Sequence, residues 1–206
     1  MAETCLSYLN LHQVKALSTI SSPDLHGTPF LQYSSLYWGA HAKLALSDRA
    51  KLLALKLFND CSNQVPTKVL LRGQEYYSPF TIDPTKLALF GGLHYASLFG
   101  IVEIVVGLVE MEGCNINQED CMGNTPLTWA AYNGHEGVVE ILLGRDGINP
   151  NKRDVGGQTP LCCAAQSGHE GAVKCYSDGT TSTLTYQIAR AKSHSGALLG
   201  TGTREL

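Results

Sequence analysis

The chain has 206 residues, 44% hydrophobic and 16% charged, with a formal net charge of −3. That balance lacks the basic face nucleic acid needs, and the longest apolar run, Gly100 to Met111, carries two glutamates and is too short to span a bilayer. Seven cysteines, an odd number with no repeated pair spacing and no secretory leader, point to reduced thiols in a cytoplasmic protein.

Residues 1–60 read as a small helical segment. Cys5, Leu6, Leu9, Val14 and Leu17 have helical spacing until S-T-I-S-S-P-D interrupts. Pro29 can open a second helix with an aromatic face at Phe30, Tyr33 or Tyr37, and Trp38. Ser47-Asp48 cap a third that carries Leu52, Leu53, Leu55 and Phe58. Residues 61–85 read as a connector whose aromatic pieces, Tyr76 to Phe80, pack on whatever precedes the next segment.

From residue 86 to 174 the chain repeats itself. G-N-T-P-L-T-W-A-A-Y-N-G-H-E-G-V-V from Gly123 returns as G-Q-T-P-L-C-C-A-A-Q-S-G-H-E-G-A-V from Gly157, a displacement of 34 residues. A fixed period of this size marks stacked supersecondary units, none of which buries its apolar face alone. Within a unit, Thr125 can cap a helix begun by Pro126, and Leu127, Ala130 and Ala131 make a slim apolar stripe. Gly134 supplies a left-handed helix end. Val138, Val139, Ile141, Leu142 and Leu143 make a second, bulkier helix. Asn149 to Gly157 is turn chemistry; Asp154 here, and Asp120 in the loop before, are expected to satisfy backbone N–H groups. An earlier unit has Leu93-His94-Tyr95-Ala96 and Gly100, with Gly91-Gly92 where Thr-Pro stands later.

These residues resemble the ankyrin-repeat family, whose hallmark is T-P-L-H-x-A-A-x-x-G-H. The hallmark histidine is replaced by Thr128 and Cys162 in the two later units. The resemblance implies an all-α, short ankyrin-repeat solenoid of about two and a half repeats, preceded by the small helical segment. The front segment, C-L-S-Y-L and P-F-L-Q-Y-S-S-L-Y-W-G-A-H-A, is similar to the linker joining nucleotide-binding and ankyrin modules in fungal NACHT–ankyrin (NLR-like) proteins. That likeness implies a sensor or regulatory fragment of a nucleotide-switch protein, or a non-functional gene remnant, with Met1 partway along an ancestral frame. No G-x-x-x-x-G-K-[ST] phosphate loop occurs in the sequence.

Candidate chemistry is sparse. Cys162-Cys163 with His169 invites a nucleophile, but these cysteines hold helix positions that Thr128 and Trp129 hold one unit earlier, which makes them packing or helix-surface residues. Cys114, Cys121, Cys162 and Cys175 lack the paired spacing zinc favours. His135 and His169 recur with the period, as structural residues at a helix start would. Accordingly no catalytic residue, cofactor or metal is expected, and the chain reads as a non-enzymatic protein-interaction module. Carried over from the family's binding surface, the docking positions are Glu119, Cys121, Met122, Asn124, Tyr132 and Asn133 in one unit. The next unit contributes Arg153, Val155, Gly156, Gln158, Gln166 and Ser167. The expected partner is another protein, with no nucleic acid and no membrane.

After Lys174 the periodic pattern stops, and residues 175–206 read as a disordered, Ser/Thr/Gly-rich tail. The genetic code offers a sharper reading. Taken from the third base of each codon, with free bases chosen to favour the match, the tail can encode M-L-L-G-R-D-D-I-N-P, then G-Q-K-P-L-G-C-A-A-W-N-G-H-E-G-A. That is a further repeat in the same register, displaced in frame. In the frame as written, the third unit's second helix is expected to keep only its first turn. The face of Leu161, Ala164 and Ala165 is then left short of cover and open to fraying or self-association.

Overall fold

The computed structural model describes residues 1–11, 29–44, 46–59 and 90–177. Expectations for Val14 and Leu17, for the connector 61–85 and for the tail beyond Ser177 lie outside these residues. Among the described residues every regular element is a helix: α1 Ala2–Leu9, α2 Pro29–Leu44, α3 Asp48–Asn59, α4 Gly92–Phe99, α5 Val102–Val109, α6 Pro126–Tyr132, α7 Glu136–Leu143, α8 Pro160–Gln166 and α9 Glu170–Ser177.

The front helices form a small bundle that closes one end of the repeats. α1 buries Cys5, Leu6 and Leu9 against α2 and α3. α3 starts where the Ser47 hydroxyl accepts the Ala50 amide at 3.2 Å. Its inward face is Ala50, Ala54, Leu57 and Phe58; of the leucines the sequence places on this helix, Leu53 and Leu55 are half-buried and Leu52 is 67% exposed. The physical reason is approach distance, because the two alanines let α3 lie close to its neighbours while bulkier leucines are turned aside. The aromatic face of α2 divides in the same way. Trp38 is fully buried between Phe58 and Phe99, with ring centroids 5.3 and 5.2 Å away, whereas Phe30 and Tyr37 are exposed in an aromatic row with Tyr8 and Tyr33.

That contact explains a departure in the first repeat. Gly92 opens α4 directly beneath Phe58, and a β-carbon there would collide with the Cβ of Phe58. A proline at this point, as in the later units, would place its ring in the same space. The bare backbone of Gly92 is what lets the front bundle seat on α4.

Three helix pairs follow, α4–α5, α6–α7 and α8–α9, with first helices stacked on first helices and second on second. Thr125 and Thr159 cap α6 and α8, their hydroxyls accepting the amides of Thr128 at 3.2 Å and Cys162 at 3.3 Å. One core runs the length of the stack, through Leu93, Ala96, Ile104, Leu127, Ala130, Val138, Val139, Leu142, Leu161, Ala164 and Ala172. The third unit corrects an expectation. α9 continues through Ser177, two turns rather than one, because Ala172 and Tyr176 occupy the inward positions of Val138 and Leu142. Leu161 and Ala164 are therefore buried, and of the three residues expected to be short of cover only Ala165 is half-exposed.

Candidate docking surface

Each projecting loop is built on one aspartate. Asp120 receives the amides of Met122 at 2.8 Å and Asn124 at 2.9 Å on one carboxylate oxygen. Its other oxygen receives the Trp129 indole N–H at 3.0 Å, which ties the loop to α6. Asp154 receives the Gln158 amide at 2.8 Å, with backbone pairing between Asp154 and Gln158 as between Asp120 and Asn124. Successive loops are stitched together where the Val155 amide donates to the Met122 carbonyl at 2.9 Å. The expected role of these aspartates is met, and the Trp129 bond is an addition that spacing alone did not signal.

His94 is the corresponding anchor of the first unit. It is fully buried; Nδ1 accepts the Gly91 amide at 3.1 Å, and Nε2 faces the carbonyls of Gln118 and Asn124 at 3.0 and 3.3 Å. Burial pushes its pKa down to about 4, against the pull of the neighbouring Asp120 and the two carbonyls. In the second unit the Thr125–Thr128 hydroxyl pair takes over the helix cap, Thr128 accepting the Thr125 amide at 3.2 Å. Substitution of the hallmark histidine thus keeps its hydrogen bond to the cap but loses its reach into the following loop.

All twelve proposed docking positions reach the surface. Glu119, Met122, Arg153, Val155, Gly156, Gln166 and Ser167 are exposed, and Cys121, Asn124, Tyr132, Asn133 and Gln158 are half-buried. Several are held in place. Arg153 donates to the Gly157 carbonyl at 3.2 Å, Asn133 donates to the Trp129 carbonyl at 2.8 Å, and Glu119 pairs with Lys152 at 2.8 Å across neighbouring loops. Lys152 belongs to the surface, and sequence reasoning missed it, since only the stacking of loops brings it to Glu119. A half-exposed pair of this kind contributes little stability, and its effect is to order two side chains.

Cys163 is a buried packing group. Burial is the main cause that drives the Cys163 thiol up to about 12, away from thiolate chemistry. Among the described residues no three His, Cys, Asp or Glu side chains converge as metal ligands would. Again among the described residues, no helix is long and apolar enough to cross a membrane.

Residues 93–177 match the family model described as ankyrin repeats, in three copies. This stretch is an ankyrin-repeat array. The matched stretch takes in the three helix pairs α4–α5, α6–α7 and α8–α9 but for the first residue of α4, so the number of copies and the number of stacked pairs agree. No curated protein matches the chain. Ankyrin repeats are generally protein–protein interaction modules, typically without enzymatic activity, and the geometry above is of that kind: rigid loops on a continuous core.

Proposed function

We propose that this protein is a cytoplasmic, non-enzymatic docking module that grips another protein through the loop tips and first-helix ends of its second and third repeats. The observation that supports it most is the stitched pair of loops, in which Met122, Val155 and Arg153 stand exposed on backbone fixed by Asp120 and Asp154. A preorganised surface loses little conformational freedom on binding. Tyr132 and Arg153 are of the residue types that most often dominate interface energetics. The test is affinity capture with the wild-type chain and with the double variant Tyr132→Ala, Arg153→Ala. Partners held by the wild type should be lost from the variant while far-UV circular dichroism is unchanged; equal capture by both would reject this surface.

A second reading makes the array the sensor part of a nucleotide-switch protein of the NACHT type. It draws support from the front segment, whose helices seat directly on the first repeat as a rigid linker would. An in-frame phosphate-loop domain upstream in the gene would support it, and stop codons there would count against it.

A further inference from the structure

Two histidines lock one repeat to the next by the same contact. His135 Nε2 meets the Leu98 carbonyl at 2.9 Å and its ring lies against Gly100; His169 Nε2 meets the Tyr132 carbonyl at 3.0 Å and its ring lies against Gly134. Both pairs are 37 residues apart. The left-handed glycines, φ 68° and 69°, have no side chain, so the imidazole rests on bare backbone. The third such seat is the Gln166 carbonyl beside Gly168, φ 75°. Gln166, Ser167 and Gly168 are exposed, and a methyl group on Gly168 would meet no described atom within 4 Å. Cys162 and Ala165, equivalent to the buried Thr128 and Ala131, are half-exposed.

The second helix carries a matching irregularity. Its inward leucine, Leu108 in the first unit and Leu142 in the second, becomes Tyr176, which is 4% exposed with its hydroxyl buried and unpartnered among the described residues. A buried hydroxyl without a partner has given up its hydration for nothing in return, which is destabilising. An ordinary leucine slot has been given the wrong side chain.

The code supplies the right one. Read one base back, the third base of the Cys175 codon with the first two of Tyr176 spells TTA or CTA, and both are leucine whichever cysteine codon is used. The codon before it, from Lys174 and Cys175, is ATG or GTG, methionine or valine, in the slot of Ile141. The one before that, from Val173 and Lys174, can be GAA, glutamate, matching Glu140. Much later, the third base of Gly202 with the first two of Thr203 can be CAC. That histidine codon stands 34 positions after His169 and 37 after Gln166, and the flanking bases can complete G-H-E-G-A.

We propose that the α8–α9 face is the seat of a fourth ankyrin repeat, encoded one base back from the frame that reads Lys174 to Leu206. Its histidine takes the Gln166 carbonyl and the bare backbone of Gly168, and a leucine replaces Tyr176 in the core. The displacement needs the loss of one base, GTGGAAATG shortened to GTGAAATG. This inference stands apart from the docking reading, because it concerns a face between repeats and not the loop tips.

Two measurements test it. Sequencing the gene and transcript over codons 170–206 should show wobble bases that spell G-R-D-D-I-N-P and G-H-E-G-A in the displaced frame; stop codons or unrelated residues there would overturn it. A chain with one base restored after the Val173 codon, read to its next stop, should melt more than about 5 °C above the 206-residue chain and protect the amides of residues 166–169 from exchange. In the unshifted chain, Tyr176→Leu alone should raise the melting temperature by part of that amount. A restored chain that gains neither temperature nor protection would overturn the seating even if the bases read as expected.

Discussion

Acidification should loosen this protein through His94. The imidazole is enclosed, with Nδ1 occupied by the Gly91 amide and Nε2 directed at two carbonyls, so a second proton would have to sit on Nδ1 and face an N–H donor. Its pKa is about 4 in the folded chain, chiefly through burial, against 6.5 when exposed. Because the folded value is the lower one, the unfolded chain takes up a proton first as pH falls. Stability that is full above about pH 6.5 is lost progressively down to about pH 4. Linkage over that gap gives a loss of about 2 kcal/mol at pH 5 and about 3 kcal/mol at pH 4. The assay is urea unfolding followed by circular dichroism at pH 7, 6, 5 and 4, for the wild type and for His94→Gln. Glutamine can accept from Gly91 and donate to a carbonyl but does not titrate. His135, also pushed down by burial, is common to both chains and cancels in the difference. The wild type should therefore lose about 2 kcal/mol more than the variant between pH 7 and pH 5. Parallel pH profiles, or a His94 imidazole that titrates near its exposed value in the folded protein, would refute the reasoning.

Two packing predictions accompany it. Trp129→Phe keeps the ring but removes the indole donor from Asp120, whose side chain is 7% exposed, and should cost about 1–3 kcal/mol in denaturant unfolding; an unchanged midpoint would mean the loop does not depend on that bond. Gly92→Ala should destabilise by about 1–3 kcal/mol, even though alanine favours helix, because its β-carbon meets Phe58; a stabilised variant would show that α3 does not press on α4.

The repeat units were legible from residue order because their determinants are local. Thr125-Pro126 and Thr159-Pro160 set helix starts, Gly134 and Gly168 set helix ends, and Asp120 and Asp154 close their own loops within four residues. The front helices were legible only as helices. Which face of α3 turns inward, leaving Leu52 outside, could not be read from residue order, since hydrophobicity says a residue can be buried but not which neighbour comes close enough to bury it. The same holds for Lys152, which joins the candidate surface only through Glu119 on the loop before it. In the third repeat, sequence periodicity predicted a helix cut short after Lys174, yet Tyr176 packs well enough to carry α9 through another turn.

Capping, turns and period are contacts between residues a few positions apart, so the amino-acid sequence by itself determined two full helix pairs, the first helix of a third, and the loops between them. Tertiary structure alone decided the partners that are far apart in the chain: Phe58 on Gly92, Trp38 against Phe99, and each histidine on the carbonyl 37 residues behind it. Those contacts depend on how close two backbones come, a distance set jointly by every side chain between them and written in no single stretch of sequence.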